Sequence, residues 1–397
     1  MENKKVPKDW KIVKLGDVVE HIKEKIYDRE EWKVDRYIGG QHFDEGEIRI
    51  TKSAPIEGNE LVIGSAFHMK FKPGQVLYVT RNPRLRKGGM VDFEGVCSNV
   101  TFTLEAKKDE LMQELLPFVI QTENFTRHAC ASAHGSTNPF LNWKDIASYD
   151  LLLPPMNEQK KIAEVLWGVE NTIKSCGILI RDYEKLKRKA IKDIFTSKKN
   201  GIILLGDVCD IKGRIGWRGL KAKEYTKEGP YLIAAKHIIG SKIDWDGADH
   251  LSFERYEESP EIILKEGDTI LSKDGTIGRI AYIDKLPGPT TINSTMMLVR
   301  PHKEYLIPKY LYYYLGGDNF KRLVEESILG STIPHIFQKD MKILSIPKKT
   351  LKEQEKIISI LNSLEKKSNV LNNHLKSLKD LRQKLMNELL LGNLRLK

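Results

Sequence analysis

The chain contains two related stretches, HGSTNPFLNWKDIASYDLLLPPMNEQKKI (134–162) and LGSTIPHIFQKDMKILSIPKKTLKEQEKI (329–357). Both carry Gly-Ser-Thr-x-Pro, then Lys-Asp, then an apolar segment with a proline, and finally Glu-Gln at the start of a lysine-rich segment. The three polar motifs recur at one offset of 195 residues. A shared offset across separate motifs indicates that a long unit of the sequence has been duplicated.

Matches outside these stretches support the duplication. Three further motif pairs lie upstream of these stretches and occur in the same order in both copies. They are IGGQH (38–42) with IAAKH (233–237), LGDV (15–18) with LGDV (205–208), and GQVLYV (74–79) with GDTILS (267–272). Their offsets of 195, 190 and 193 residues drift as short loop insertions would make them drift. The 397-residue chain is therefore predicted to be a tandem duplication, in which each unit is a domain with an appendage.

The first part of each unit mixes strand-like and helix-like patterns. Short apolar runs bounded by Gly, Pro and Asn predict strands in GQVLYVTRN, NVTFTLE, DTILSKDG, GRIAYID and TMMLVRP. Apolar residues three and four positions apart predict helices in DELMQELLPFVIQTENF and PKYLYYYLGGDNFKRLVEE. The predicted organisation is a domain at 1–155, a long helix at 156–199, a second domain at 200–347 and a second long helix at 348–397.

The long helices carry heptad seams. Apolar residues recur at alternating spacings of three and four, and each seam is interrupted by one basic residue, Lys187 in the first and Arg382 at the equivalent position of the second. The seams consist of Leu166, Val169, Ile173, Cys176, Ile180, Tyr183, Ala190 and Ile194, and of Leu361, Leu364, Ser368, Leu371, Leu375, Leu378, Leu385 and Leu389. Because so long a seam cannot bury itself on one globule, the helices are predicted to pack on each other. The alternative, in which each helix lies on its own domain, stays open.

These patterns predict an α+β fold. Two similar mixed α/β globular domains are expected to be separated by two long helices, packed as an antiparallel coiled coil with a pseudo-two-fold axis. Two basic domains held a fixed distance apart would suit duplex DNA, in which the spacing of half-sites mirrors the spacing of the protein's reading surfaces.

Composition favours a polyanionic partner and excludes several classes of protein. Lys and Arg total 65 against 54 Asp and Glu, which gives a formal net charge of +11. The four cysteines form no C-x-x-C pair and no cluster with histidines, so free thiols in a reducing compartment are expected. No signal peptide or membrane-spanning run is found, which predicts a soluble protein of the cytoplasm that does not contact a membrane.

The sequence lacks the motifs that DNA-modifying chemistry needs. An adenine methyltransferase needs an Asn/Asp-Pro-Pro-Tyr/Phe loop, and the nearest match, Asn138-Pro139-Phe140, lacks the second proline. The chain has no G-x-x-x-x-G-K-[ST] phosphate loop, and Asp92 and Glu94 have no lysine close behind them to complete a nuclease site. No catalytic residue, metal ligand or bound cofactor is therefore predicted. Two alternatives to a DNA-reading protein stay open, a protein-assembly scaffold that does not bind DNA and a DNA-modifying enzyme.

The layout resembles the specificity subunit of type I restriction–modification systems. The resemblance rests on WKIVKLGDV and LGDV at the domain starts, GST-x-P near each domain end, and LPPMNEQKKIAEVL and IPKKTLKEQEKIISIL opening the long helices. It covers essentially the whole chain, and the terminal LMNELLLGNLRLK also fits the family. The second copy departs by having two more residues between Pro347 and its Glu-Gln than the first copy has after Pro154.

The resemblance implies a role as a non-catalytic address reader. Each domain would be a target recognition domain that reads one half of a split sequence in double-stranded DNA. The long helices would space the two domains and bind two modification subunits, which methylate adenine. Restriction subunits with motor and nuclease activity would join for cleavage. S-adenosylmethionine, ATP and Mg²⁺ would be held by these partner subunits.

Two loops are the main candidates for DNA contact. TRNPRLRKGG in the first unit and SKDGTIGR in the second follow equivalent strands but differ strongly in chemistry, as two domains that read different half-sites should. Solvated surface loops are the alternative interpretation for both. The hydroxyls of the GST motifs, and the residues before His42 and His237, are weaker candidates, and both histidines are expected to be buried and hydrogen-bonded. The predicted DNA-binding residues are Arg81, Asn82, Arg84, Arg86, Lys87, Ser136, Thr137, Lys273, Asp274, Thr276, Arg279, Ser331, Thr332, Gln41 and Lys236.

Overall fold

The structure of the chain is a computed structural model. The structure describes residues 7–196, 201–214, 220, 222–329 and 335–396. The chain divides into two compact units, unit 1 from Met1–Ile178 with Asn373–Lys397, and unit 2 from Leu179–Asn372. Both divisions fall inside the long helices, so each helix contributes one segment to each unit.

Unit 1 combines two twisted sheets with short helices. Its elements in chain order are β1 (Lys11–Lys14), α1 (Leu15–Val18), β2 (Val19–Ile22), β3 (Arg36–Ile38), β4 (Arg49–Ile50), β5 (Ala54–Pro55), β6 (Phe67–Phe71), β7 (Val76–Val79), β8 (Gly88–Val91), β9 (Gly95–Ser98), β10 (Thr101–Ala106), α2 (Leu116–Val119), α3 (Glu123–Ala131), α4 (Trp143–Ala147), β11 (Asp150–Leu153) and the first part of α5 (Met156–Thr196). One sheet has the order β2-β10-β7-β8-β4, the other has the order β5-β3-β9-β6, and β1 pairs with β11.

Unit 2 repeats this scheme with some changes. Its elements are β12 (Ile202–Leu204), α6 (Leu205–Val208), β13 (Cys209–Gly213), β14 (Tyr225–Ile233), β15 (Ile238–Ile239), β16 (Lys242–Ile243), β17 (Asp249–Leu251), α7 (Phe253–Glu257), β18 (Thr269–Ser272), β19 (Ile280–Tyr282), β20 (Thr290–Ile292), β21 (Met296–Pro301), α8 (Pro308–Leu315), α9 (Asp318–Leu329), α10 (Gln338–Lys342), β22 (Ser345–Pro347) and the first part of α11 (Leu351–Leu390).

The sheets confirm the duplication. The order β13-β21-β18-β19 in unit 2 matches β2-β10-β7-β8 in unit 1, and β12 pairs with β22 as β1 pairs with β11. In both units a parallel pair lies beside this sheet, β3 with β9 and β14 with β20. The strands predicted from the short apolar runs are confirmed as β7, β10, β18, β19 and β21. Apolar side chains along them are buried in the core of each unit.

The glutamine of the repeated Glu-Gln pair fixes the start of each long helix to the rest of its unit. In unit 1 the buried Gln159 amide accepts from the Met112 backbone N–H (2.8 Å) and donates to the carbonyls of Glu110 and Pro154. In unit 2 Gln354 accepts from the Ile307 N–H (2.8 Å) and donates to two backbone carbonyls in the same way. A buried amide is stable only when its donors and acceptor are satisfied, so the same residue was kept in both copies.

The repeated Lys-Asp pair marks a helix start in each unit. The Asp145 carboxylate accepts the Asn142 backbone N–H (2.6 Å) at the start of α4. The Asp340 carboxylate accepts the Phe337 N–H (3.2 Å) at the start of α10. Each carboxylate therefore satisfies a donor that the helix itself leaves unpaired.

The long helices pack against each other in antiparallel fashion within each unit. In unit 1 Arg395, just beyond the end of α11, pairs with Glu158 (2.7 Å), and Arg382 pairs with Glu170 (2.6 Å). In unit 2 the Ser368 hydroxyl donates to Glu184 (2.5 Å). The seam residues are the less exposed side of both helices, and Leu166 and Leu361, which are equivalent in the repeat, are fully buried. The antiparallel helix pair predicted from the heptads is confirmed in each unit.

Two predicted helices are shorter than the periodicity indicated. The segment 109–125 holds a 3-10 turn, the short α2 and the start of α3, because the Thr122 side chain caps α3 by accepting the Phe125 backbone N–H. The segment 308–326 is divided into α8 and α9 at Gly316-Gly317. Local capping and a glycine pair therefore override the apolar spacing.

Two further findings concern chemistry. None of the four cysteines forms a disulfide, as predicted, and Cys130 alone among them is exposed. Within the residues that the structure describes, no helix is long and apolar enough to cross a membrane, and no group of three or more His, Cys, Asp or Glu side chains is placed to hold a metal ion.

Candidate nucleic-acid interface

The arginine-rich loop of unit 1 follows the end of β7 and has a strained backbone. Pro83–Leu85 forms a 3-10 turn, flanked by Asn82 (φ 51°) and Arg86 (φ 49°) in the left-handed region. Asn tolerates this region, whereas Arg is seldom found there. A strained backbone persists only when its surroundings hold it, and such positions concentrate at functional sites.

The loop ends in two glycines because other backbone lies very close. A Cβ atom at Gly88 would lie 2.7 Å from the Leu77 carbonyl oxygen, and one at Gly89 would lie 2.7 Å from that of Ile48. A side chain at Gly88 would push β8 away from β7, and one at Gly89 would push it away from the backbone at Ile48.

The arginine-rich loop meets the GST-x-P loop of the same unit. The second loop is closed by a pair of backbone hydrogen bonds between His134 and Phe140 (2.8 and 2.9 Å). The Asn82 side-chain amide donates to Asn138 Oδ1 (3.0 Å), and the Arg81 guanidinium lies over the Phe140 ring at 5.2 Å. The arginine-rich loop and the GST-x-P loop, which were predicted as separate candidate segments, therefore form one surface.

The outer part of this surface carries unpaired donors. Arg84, Ser136 and Thr137 are exposed, and none of them makes a hydrogen bond or ion pair with another described residue. A guanidinium and two hydroxyls facing solvent are groups that can donate to DNA bases and phosphates.

Three other predicted residues lie nearby, and two of them are already engaged. Arg86 forms an ion pair with Glu123, and the Lys87 ammonium donates to the Gly40 carbonyl (2.8 Å). Gln41 is the exposed neighbour of Gly40 in the 3-10 turn Gly40–His42. The His42 ring accepts the Gly39 backbone N–H (2.9 Å) but is only half-buried, whereas His237 accepts the Ala234 N–H (3.0 Å) and is buried, so the expectation of a buried, hydrogen-bonded histidine is fully confirmed only for His237.

A cavity of about 340 Å³ opens beside the Arg81–Phe140 contact. Sequence reasoning missed most of its walls, because they come from segments far apart in the chain. Polar groups and aromatic rings both line it: Lys23, Asn99, Asn142, His21, Phe102 and Trp143. Amide side chains next to aromatic faces are suited to contacts with nucleobases.

His21 is a half-buried polar residue in the wall of this cavity. Its ring lies 4.5 Å from that of Phe102 and 5.7 Å from that of Trp143, and neither ring nitrogen has a partner among the described residues. Burial, and next the positive charge of Lys23, lower the pKa of His21 to about 4. The imidazole is therefore neutral at pH 7, and the charge at the cavity rim comes from Lys23 and Arg81.

The equivalent loop of unit 2 has an acidic centre. Asp274 forms an isolated bridge with His335, as Arg81 does with Phe140 in unit 1. Its carboxylate accepts from the Lys273 ammonium (2.9 Å) and is bonded to the His335 ring. Burial opposes ionisation, but the hydrogen bonds from Lys273 and His335 hold the pKa of Asp274 below its ordinary value. Ser331 and Thr332 lie outside the described residues.

The remaining predicted residues of unit 2 differ in their exposure and in their hydrogen-bond partners. Thr276 is exposed, and its backbone carbonyl accepts from the Ser272 hydroxyl (2.6 Å). Arg279 donates to the Ala235 carbonyl (3.0 Å), which is the contact that Lys87 makes with Gly40 in unit 1. Lys236 is exposed and pairs with Asp249 (2.8 Å). Lys87 and Arg279 therefore brace the same turn in the two copies.

The chain is similar to known proteins along most of its length. A family model described as "Type I restriction modification DNA specificity domain" matches residues 7–180 and 183–380. The type I restriction enzyme MjaVIII specificity subunit of Methanocaldococcus jannaschii is 23% identical, over 100% of this chain and 96% of that protein. The EcoR124I/EcoR124II specificity subunit of Escherichia coli is 25% identical, over 41% of this chain and 40% of that protein.

Two solved structures share the fold. A chain from a study of complex assembly and conformational transition in the type I R-M system superposes with a TM-score of 0.63 at 20% identity, covering 98% of this chain and 100% of that one. The type I restriction–modification S subunit from M. genitalium superposes with a TM-score of 0.58 at 17% identity, covering 98% of each chain. Likeness at this identity concerns the architecture alone.

Proposed function

Because the chain belongs to the family of type I restriction–modification DNA specificity proteins, we propose that it reads a bipartite DNA site with one unit on each half-site. Specificity subunits of this family recognise DNA and are not catalytic. Unit 1 and unit 2 are its two target recognition domains, and each is expected to read its own short sequence.

One observation supports the proposal that the two target recognition domains read different sequences. The two units share sheet order and helix seating, yet equivalent loop positions hold Arg81 in one and Asp274 in the other. A guanidinium donates to guanine O6 and N7, whereas a carboxylate accepts from the amino group of cytosine. A conserved scaffold with opposite loop chemistry is what two different half-sites require.

The residues divide into those proposed to contact DNA and those proposed to hold the loops. Base contacts are proposed for Arg81, Asn82, Arg84 and Asp274, which have planar or forked polar groups. Phosphate contacts are proposed for residues with a single ammonium, amide or hydroxyl group: Lys273, Thr276, Lys236, Gln41, Ser136 and Thr137. The same contact is proposed for Ser331 and Thr332. Arg86, Lys87 and Arg279 are proposed chiefly to shape the loops.

The helix pairs are proposed to set the spacer and to bind partners. α5 has 41 residues and α11 has 40, and each contributes to both units. Changing their length would change the distance between the readers by about 1.5 Å per residue. Two modification subunits and the restriction subunits are proposed to dock on this chain, and S-adenosylmethionine, ATP and Mg²⁺ are proposed to bind to those partners.

A binding selection tests the proposal. The chain, assembled with its modification subunits, is equilibrated with duplexes that contain a long randomised segment, and the bound fraction is sequenced. The expected result is a motif of two short conserved blocks separated by a spacer of fixed length. A single contiguous motif, or no sequence preference at all, would contradict the proposal. The second result would favour a scaffold that does not read DNA.

A further inference from the structure

Arg382 stands where the heptad of α11 calls for an apolar residue. Its guanidinium Nη1 donates to Glu170 Oε2 at 2.6 Å, and the two side chains are only 12% and 9% exposed. A buried ion pair at a seam adds little net stability compared with an apolar pair of similar volume. The interruption of the seam therefore needs a reason other than stability.

The second arm of Arg382 leaves the seam and reaches the globular part of unit 1. Its Nη2 donates to the carbonyl oxygen of Gly46 at 3.1 Å. The Gly46 backbone N–H in turn donates to the carbonyl oxygen of Arg86 at 3.2 Å, in the arginine-rich loop. Gly46 has φ +69°, a conformation that glycine adopts without strain.

The Arg86 carbonyl lies where the loop is most strained. Arg86 has φ 49°, and its carbonyl also accepts from the buried Gln121 amide (3.0 Å), which reaches the Gly88 carbonyl as well (2.6 Å). The neighbouring residues Glu45 and Lys87 form a β-bridge that keeps the two segments side by side. Gly46 and Gln121 together hold Arg86 in its left-handed conformation.

We propose that Arg382 is a positioning residue that fixes the arginine-rich recognition loop of unit 1 to the helix pair. Through Gly46 it holds the end of the loop that presents Arg81, Asn82 and Arg84. The inference rests on the proposed function, because it assigns a recognition role to that loop. Arg382 itself does not touch DNA in this proposal.

The repeat supplies a natural comparison. Lys187 is the equivalent of Arg382 in the first seam, and Ser241, with φ 65°, is the equivalent of Gly46. The Lys187 side chain makes no hydrogen bond or ion pair with another residue that the structure describes. The link between seam and loop is therefore found for unit 1, whose loop carries the left-handed Arg86.

The test replaces the ion pair by an apolar pair. Arg382→Leu together with Glu170→Leu removes both charges, so no unpaired charge is left in the seam, and the melting temperature should be unchanged or higher. Sequence preference is measured with the modification subunits bound, on libraries randomised in one half-site at a time. Discrimination in the half-site of unit 1 should fall roughly 2- to 30-fold, and that of unit 2 should be unchanged.

Two further variants complete the test, one that applies even if the double variant does not fold and one that serves as a matched control. Arg382→Lys keeps a charge beside Glu170 but cannot also reach Gly46, so it should lower discrimination in the same half-site even if the double variant fails to fold. Lys187→Leu should leave both half-sites unchanged. If the double variant or Arg382→Lys keeps full discrimination, or both half-sites lose it equally, the positioning role is wrong. A wild-type protein without a two-part motif would instead overturn the proposed function itself.

Discussion

The two recognition loops occupy equivalent positions on the same scaffold and have opposite chemistry. In unit 1 Arg81 lies two residues beyond the end of β7, and its guanidinium lies over the Phe140 ring. In unit 2 the equivalent backbone contact brings Asp274 to His335, and the carboxylate takes the place of the guanidinium. Lys87 and Arg279 meanwhile make the same bracing contact in both. Evolution of the duplicated unit has therefore preserved the contacts that hold each loop and changed the groups that the loop presents.

The largest effect is expected from charges placed in the two equivalent core positions. Leu166 in unit 1 and Leu361 in unit 2 are fully buried where a long helix meets its globule. Leu166→Asp or Leu361→Asp would bury an unpaired carboxylate, which should lower the free energy of unfolding of that unit by about 3–5 kcal/mol. Hydrogen exchange should increase in the strands of unit 1 for the first variant and of unit 2 for the second.

Ser363→Asp is the control, because it places the same charge on the exposed side of α11. It should leave exchange in both units unchanged. If either buried substitution increases exchange equally in the two units, they do not unfold as separate bodies, and the comparison of two independent readers is weakened.

A smaller effect is expected from the half-buried carboxyl of Glu47, at a position where unit 2 has a lysine. Burial raises the pKa of Glu47 from its ordinary 4.5 to about 7, whereas the equivalent residue of unit 2 is the exposed Lys242. Between those two pH values the folded chain binds more protons than the unfolded chain, so the stability of unit 1 should fall as pH rises from 4.5 to 7. Glu47→Gln should remove a loss on the order of 1–3 kcal/mol.

The measurement is the free energy of unfolding of wild type and Glu47→Gln at pH 5 and pH 8, followed by hydrogen exchange in each unit. The variant should gain stability relative to wild type at pH 8 but not at pH 5, and only in unit 1. An equal effect at the two pH values would show that the carboxyl does not titrate in this window.

The smallest effect is expected at the turns that the two units share. Lys236 is 63% exposed in its side chain, and its equivalent in unit 1 is the neutral Gln41. Lys236→Ala should change the free energy of unfolding by less than about 1 kcal/mol, because an exposed ion pair contributes little. It should also reduce the slope of log K against log salt by about one, since one phosphate contact is lost. Gln41→Ala should leave that slope unchanged, and equal slopes for the two variants would show that Lys236 does not contact phosphate.

The scaffold could be predicted from the sequence because its signals are periodic or repeated. The offset of 195 residues identified two copies, and the seams through Leu166 and Leu361 identified the helix pair. Such patterns reflect burial, which acts on many residues at once and leaves a regular trace. The division of α8 from α9 was missed because the effect of Gly316-Gly317 is local.

The details of the interface could not be predicted in the same way. Nothing in the sequence shows that Lys87 and Arg279 turn back onto backbone carbonyls while Arg84 faces solvent. The cavity walls formed by Asn99 and Trp143 come from segments that meet only in the fold. Arg382 looked like an interruption of the seam, and its contact with Gly46 depends on a left-handed turn more than 300 positions away in the chain.

The central claim is that the two units read two half-sites independently. The most direct test compares Arg84→Ala with Asp274→Ala, each assembled with the modification subunits, on a duplex library randomised in both half-sites. Arg84→Ala should relax preference by about 1–3 kcal/mol at one base pair of one half-site, and Asp274→Ala should relax preference in the other half-site alone. The preferred spacer should be the same in both. If either variant alters both half-sites equally, or changes the spacer, the account of two independent readers is wrong.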